Sequence, residues 1–160
     1  MIDTADTKLK SFLAKQFAAV AVDVIAKIVD GRLDWSLDIK THGNNGKIDL
    51  PAKSGAHRIK FRLEDKTDLN LRFDASGPIF ASSETGQCPR SLATDQIMVD
   101  SCDDDELEII DWNYGAEMDL RYQLNFMNRI GEPQEPLDPI IRNGGGVPLF
   151  NRLKSRIKFD

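Results

Sequence analysis

Apolar and polar residues alternate through 58–74, which reads RIKFRLEDKTDLNLRFD. Ile59, Phe61 and Leu63 alternate with Lys60, Arg62 and Glu64. After a polar break, Leu69, Leu71 and Phe73 alternate with Asn70, Arg72 and Asp74. A period of two places one set of side chains on each face of a strand. Two such runs joined by turn-forming residues predict a hairpin with one dry face and one wet face. A hairpin alone is marginal in water, so the rest of the chain must cover the dry face.

A different period precedes this stretch. Leu9, Phe12, Leu13, Phe17, Val20, Val24, Ile25 and Ile28 recur at three- and four-residue steps, the stripe of an amphipathic helix. Ala14, Ala18, Ala19, Ala21 and Ala26 favour a helix intrinsically. Asp3 or Thr4 can cap its start, and Gly31 stands where a left-handed residue would end it. The spacing therefore predicts one long helix over 4–30. Its stripe would pack over an open end of a sheet, meet a second copy, or lie on a membrane. The polar face mixes Lys8, Lys10, Lys15 and Lys27 with Asp23 and Asp30, which suits a membrane surface poorly.

After the helix, Leu33, Trp35, Leu37 and Ile39 alternate with Asp34, Ser36, Asp38 and Lys40, and HGNNG at 42–46 predicts a turn. Short strands are expected at 47–50, 79–81, 96–101, 107–112 and 140–141. A long one is expected where Met118, Leu120, Tyr122, Leu124 and Phe126 alternate with polar residues. The longest irregular segment is 82–95. The tail after NGGG alternates basic and apolar residues and suits a short helix or an edge strand.

Seven or eight short strands with turns between them predict a mainly β chain. The expected fold is an antiparallel β-sandwich, immunoglobulin-like or cupredoxin-like, preceded by the long N-terminal helix. This divides the chain into a helix at 1–31, a sandwich at 32–143 and a tail at 144–160. Strands do not alternate with helices, so a parallel α/β sheet is not expected.

Composition narrows the partners. The 26 acidic and 21 basic residues leave a net charge of -5, which disfavours nucleic acid. Cys88 and Cys102 are too few for a disulfide scaffold, and they read as reduced thiols. No apolar run is long enough to span a bilayer. Asp3, Asp6 and Asp23 spoil the resemblance of the N-terminus to a secretion signal, so the cytoplasm is the expected compartment.

Candidate chemistry is sparse. His42 and His57 both precede the cysteines, whereas a blue-copper site needs two His and a Cys near the metal. Isolated His and Cys residues do not offer zinc spacing either. Asp100, Asp103 and Asp105, in an acidic run with Asp104, Glu106 and Glu108, are the calcium candidates, although the EF-hand pattern is missing. Cys88 has no nucleophile signature around it, and NGGG lacks the Lys of a phosphate loop. Two segments look more particular than composition requires: Asp111-Trp112-Asn113, and 137–146.

These readings predict a non-catalytic binding or assembly module with no cofactor. It would associate with itself or a protein partner through helix residues Phe12, Leu13, Phe17, Val20 and Val24. The alternative is a small ligand- or metal-binding protein or enzyme, with its site in loops 82–95, 100–106 and 138–146.

Overall fold

The computed structural model describes residues 17, 19–44, 46–83, 89–137 and 139–145. The segment expected to continue a helix is instead a strand. Ala19–Val29 forms β1, in which Val20, Val22, Val24 and Ala26 point into the core and are almost wholly buried. The period is two, and β-branched residues supply most of the inward set. In a run so rich in apolar residues and alanine, helical and strand spacing both find matches, which is how Val20, Val24 and Ile25 imitate a helical stripe. The turn that follows decides the matter. Asp30 and Gly31 both have positive φ, 51° and 76°, the two-residue loop that joins twisted antiparallel strands. Gly31 closes a hairpin, not a helix, and no helix occurs among the described residues. The expected helix positions before Phe17, including Phe12 and Leu13, lie outside them.

Eleven further strands follow among the described residues: β2 (Arg32–Ile39), β3 (Gly43–Asn44), β4 (Lys47–Leu50), β5 (His57–Asp65), β6 (Arg72–Phe73), β7 (Ile79–Ser82), β8 (Ile97–Cys102), β9 (Glu106–Asp111), β10 (Met118–Leu124), β11 (Phe126–Met127) and β12 (Ile140–Asn143). They form two five-stranded sheets and a small third one. The first has the order β2-β1-β5-β9-β8, the second β3-β4-β12-β10-β7, and the third pairs β11 with β6.

The expected antiparallel sandwich also needs correction. β1 runs parallel to β5, from Ala19 opposite Arg58 to Ala26 opposite Asp65. β4 likewise runs parallel to β12. Parallel neighbours need long crossovers, so neighbouring runs in the sequence do not announce them. The expected hairpin within 58–74 is absent for the same reason: both edges of β5 are taken, by β1 and by β9, and β6 pairs with β11. Asp65 diverts the chain. Its carboxylate accepts bonds from the Thr67 N–H at 2.8 Å and the Leu71 N–H at 2.9 Å, a local turn that competes with continued pairing.

One core cluster draws on both large sheets. Val24, Ile59, Phe61 and Ile109 of the first meet Ile48, Leu120, Tyr122 and Ile141 of the second, and the Phe61 and Tyr122 rings lie 5.7 Å apart. A smaller cluster of Phe17, Ala56, Ile110 and Trp112 forms separately. There the Phe17 ring meets Trp112 edge-on at 5.9 Å. No helix among the described residues is long and apolar enough to cross a membrane.

Tyr122 is fully buried, and its hydroxyl has no hydrogen-bond partner among the described residues. Burial drives its pKa far above the ordinary tyrosine value. Removing an unsatisfied buried hydroxyl relieves a desolvation cost. Tyr122→Phe should therefore leave stability unchanged or raise it by about 1 kcal/mol, read as a shift in the urea midpoint. A loss of more than about 1 kcal/mol would mean that the hydroxyl is satisfied in solution.

Candidate functional site

Two of the sequence segments that stood out meet at one end of the first sheet. β9 ends at Asp111, and the chain turns through Asn113 at a φ of 47°. Asp111 and Asn113 are both fully buried, as is Asn143 at the end of β12. Asp111 Oδ1 accepts bonds from the Asn113 N–H at 2.9 Å and from Asn143 Nδ2 at 2.8 Å. Asn113 Nδ2 faces the Pro51 and Gly55 carbonyls at 3.1 and 3.2 Å and Ser54 Oγ at 3.1 Å, while its Oδ1 accepts from Gly145 N–H at 2.9 Å. Gln96 joins the group. Its Nε2 donates to the Tyr114 carbonyl at 2.8 Å, and its Oε1 accepts from the Tyr114 N–H at 3.1 Å and from Asn143 Nδ2 at 3.3 Å. Asp111, Asn113, Asn143 and Gly145 thus form one polar junction that ties the two large sheets together.

The junction is not fully satisfied. Asp111 Oδ2 and Asn143 Oδ1 are buried without partners among the described residues. Burial pushes the Asp111 carboxyl up to about 7, against the partly offsetting bonds from Asn113 and Asn143. His57 stands directly opposite Asp111 across β5 and β9. Its Nδ1 donates to the Gly55 carbonyl at 2.9 Å. Burial lowers its pKa, outweighing that bond, and His42 lowers it further. The two histidine rings meet edge-on at 5.2 Å. Sequence separation hid that contact, but no third ligand joins them: among the described residues no three His, Cys, Asp or Glu side chains converge on a metal position.

The acidic run lies elsewhere. β9 begins at Glu106 beside the acidic turn and ends at Asp111 in the junction, so the two are separated by roughly 17 Å at about 3.4 Å per residue. Asp103, Asp104 and Asp105 are exposed beside an open depression of about 510 Å³ that Phe73, Ala75 and Cys102 also line. The turn serves the fold through its backbone. The Asp104 carbonyl accepts from Phe73 N–H at 2.8 Å and the Asp105 carbonyl from Leu63 N–H at 2.7 Å. Cys102 is a free thiol whose pKa is raised, first by burial and then by the neighbouring aspartates; Cys88 lies outside the described residues. Of the three loops expected to share one ligand site, 100–106 stands at the opposite end of β9 from Asn143 and Gly145, and residues 84–88, 138 and 146 of the other two lie outside the described residues.

No protein-family model matches this chain, and neither does any curated protein. Its chemistry has to be read from its own surfaces, and the sheet edges differ sharply. β8, an outer strand of the first sheet, is broken by a bulge between Val99 and Ser101, where the calcium candidate Asp100 sits. β3, at the edge of the second sheet, has two residues. β7, at its other edge, is covered where Ala81 exchanges bonds with the Ser91 carbonyl and the Ala93 N–H at 3.0 and 2.9 Å. Short length, bulges and covering are the devices that keep edges from pairing with other chains.

β2 has none of them. It is an eight-residue edge strand without proline, and it pairs with β1 without a break from Arg32 to Ile39. The Lys40 N–H donates to the Ala21 carbonyl at 2.9 Å, so even-numbered residues direct their backbone at β1. Leu33, Trp35, Leu37 and Ile39 direct theirs outward. No strand lies beyond that edge among the described residues. The side chains of these four pack against the core; Trp35 stacks on Phe126 with ring centroids 4.4 Å apart and donates from Nε1 to the Glu135 carbonyl at 3.0 Å. The exposed face carries Arg32, Asp34, Ser36, Asp38 and Lys40. Asp38 stands directly opposite Asp23 of β1, a like-charge pair that Lys40 bridges. Beyond Ala26 the hairpin outruns its pairing with β5, leaving Ile28 and Val29 48% and 44% exposed.

The residues expected to meet a partner are placed differently from that expectation. Val20 and Val24 lie in the core, Phe17 packs on Trp112, and Phe12 and Leu13 lie outside the described residues. The signal that could have found the edge is Asp30-Gly31, a hairpin turn followed by the alternation from Leu33 to Ile39.

Proposed function

We propose that this chain is a non-catalytic binding or assembly module that takes an extended strand of its partner onto the β2 edge. The observation that carries this reading is the contrast among the four outer edges of the two large sheets: three are bulged, short or covered, and β2 is long, regular and open among the described residues. Strand addition needs an unpaired row of backbone N–H and C=O groups for affinity, with side-chain positions alternating about it for specificity. Leu33, Trp35, Leu37 and Ile39 supply the first, and the charged even-numbered positions supply the second. The polar junction around Asp111 is spent on holding the sheets together: its carboxyl is fully buried, so an outside substrate cannot reach it without local opening.

Residue-resolved amide exchange tests the reading. In monomeric protein the outward amides of Leu33, Trp35, Leu37 and Ile39 should exchange at least about a hundredfold faster than those of Asp34, Ser36 and Asp38, which bond β1. Equal protection of both sets in a proven monomer would overturn it.

A further inference from the structure

The partner chemistry can be taken one step further, on the reading that β2 is a docking edge. We infer that the strand added to β2 is β2 of a second copy, antiparallel, with Trp35 opposite Trp35 of that copy across a two-fold axis. Charge decides the register. Residues directly opposite on an antiparallel pair share a face, and like charges there repel while opposite charges attract. With Trp35 at the centre, Arg32 faces Asp38 of the second copy and Asp38 faces its Arg32. Asp34 faces Ser36, and at the rim Lys40 comes opposite Asp30. Every charged position on the exposed face thus meets either its opposite or a neutral serine.

Centring on Leu33 also sets Arg32 against Asp34, but it runs the ladder into the Asp30-Gly31 turn and pairs fewer residues; the other neighbouring registers that keep the faces aligned do worse on charge. Centring on Ser36 sets Arg32 against Lys40 and Asp34 against Asp38. Centring on Asp34 sets that residue against itself. Centring on Leu37 keeps only the Asp34 and Lys40 attraction. A self-complementary surface of this kind is what a two-fold interface requires.

Backbone parity and apolar packing agree with the charge pattern. The even-numbered residues bond β1, so in a continued ladder the odd-numbered ones make the bonded pairs on the far side. Trp35 with Trp35, and Leu33 with Leu37, are such pairs. On the inner face, Leu37 is already beside Val24 and Leu33 beside Ile28. The dimer extends this to an unbroken apolar row, Val24 and Leu37 of one copy followed by Leu33 and Ile28 of the other. Ile28, half exposed at the hairpin tip, gains cover.

The test uses two full-length single variants, Arg32→Asp and Asp38→Arg, with light scattering behind size exclusion. The parent chain should dimerise. Each reversal places like charges in two symmetry-related pairs and should weaken self-association by about tenfold or more. Mixed together, the two variants should form a heterodimer. The aspartate introduced in one then meets the arginine introduced in the other, and the unchanged Asp38 of the first meets the unchanged Arg32 of the second. This complementation reads the register itself and does not depend on either variant's stability. A dimer indifferent to both reversals, or variants that fail to complement, would overturn the inference. A monomeric parent would overturn it too, and amide exchange then separates the two readings: fast outward amides on β2 leave the docking edge standing for another partner, whereas protected ones remove both.

Discussion

At about pH 8, Asp111→Asn should be more stable than the parent chain, and at about pH 4 the two should nearly coincide. Burial raises the Asp111 carboxyl in the folded protein from an ordinary 3.8 to about 7. Between those values the folded state holds a proton that the unfolded chain has released, so stability falls as pH rises through the window. Below it both states are protonated, and the full contribution is present. Above it the site must keep a carboxylate in a dry interior with one oxygen unpartnered among the described residues. At about 1.4 kcal/mol per unit, the difference amounts to at most roughly 4 kcal/mol. An asparagine keeps the Oδ1 that accepts from Asn113 and Asn143, adds a donor where the junction offers the unpartnered Asn143 Oδ1, and never ionises. His57 works in the opposite sense. Its pKa is lowered, so the unfolded chain binds the extra proton and stability falls as pH drops below the ordinary histidine value. The comparison between parent and variant cancels that contribution. Urea unfolding from about pH 4 to pH 8 is the measurement; parallel stability profiles for the two proteins would show that Asp111 is not held neutral.

Asn113→Ala should cost about 3–5 kcal/mol, which for a chain of this size lowers the melting temperature by about 10 °C. The side chain reaches Pro51, Ser54, Gly55 and Gly145, so its removal strands a Gly145 N–H and two carbonyls in a buried place. The backbone adds to the cost. At a φ of 47° asparagine is tolerated, whereas alanine pays roughly 1 kcal/mol. Asn113→Gly separates the two parts: it loses the same bonds without the backbone strain and should be less harmful than alanine by about 1 kcal/mol. Alanine and parent chains that melt within a degree or two would mean that the junction does not clamp the sheets.

The uneven legibility of the chain has a physical cause. Alternation at 33–41 and 118–126 was unambiguous, because polar and apolar residues take strict turns there and only one period fits. β1 imitates a helix because nearly every residue in Ala19–Val29 is apolar, small or β-branched, so alternation leaves little contrast. The Asp30-Gly31 turn was the signal that could have rescued it. The local sequences of Asp111-Trp112-Asn113 and of the segment with Asn143 and Gly145 are unusual, but no local pattern says that these four polar-junction residues, Asp111, Asn113, Asn143 and Gly145, share one end of the sheets. His42 and His57, opposed at 5.2 Å, carry no sequence signal of proximity at all. The acidic run offers calcium candidates because composition shows carboxylates, whereas the structure uses that turn's carbonyls.

What the sequence determined alone is the β character of the chain and the inward face of most strands, because side-chain period is a property of neighbouring residues. What only the tertiary structure decided is which strands are neighbours: β1 beside β5, β4 beside β12, and β2 left with nothing beyond it among the described residues. Parallel pairing and edge position depend on residues far apart in the chain brought together by core burial, and no local pattern encodes them.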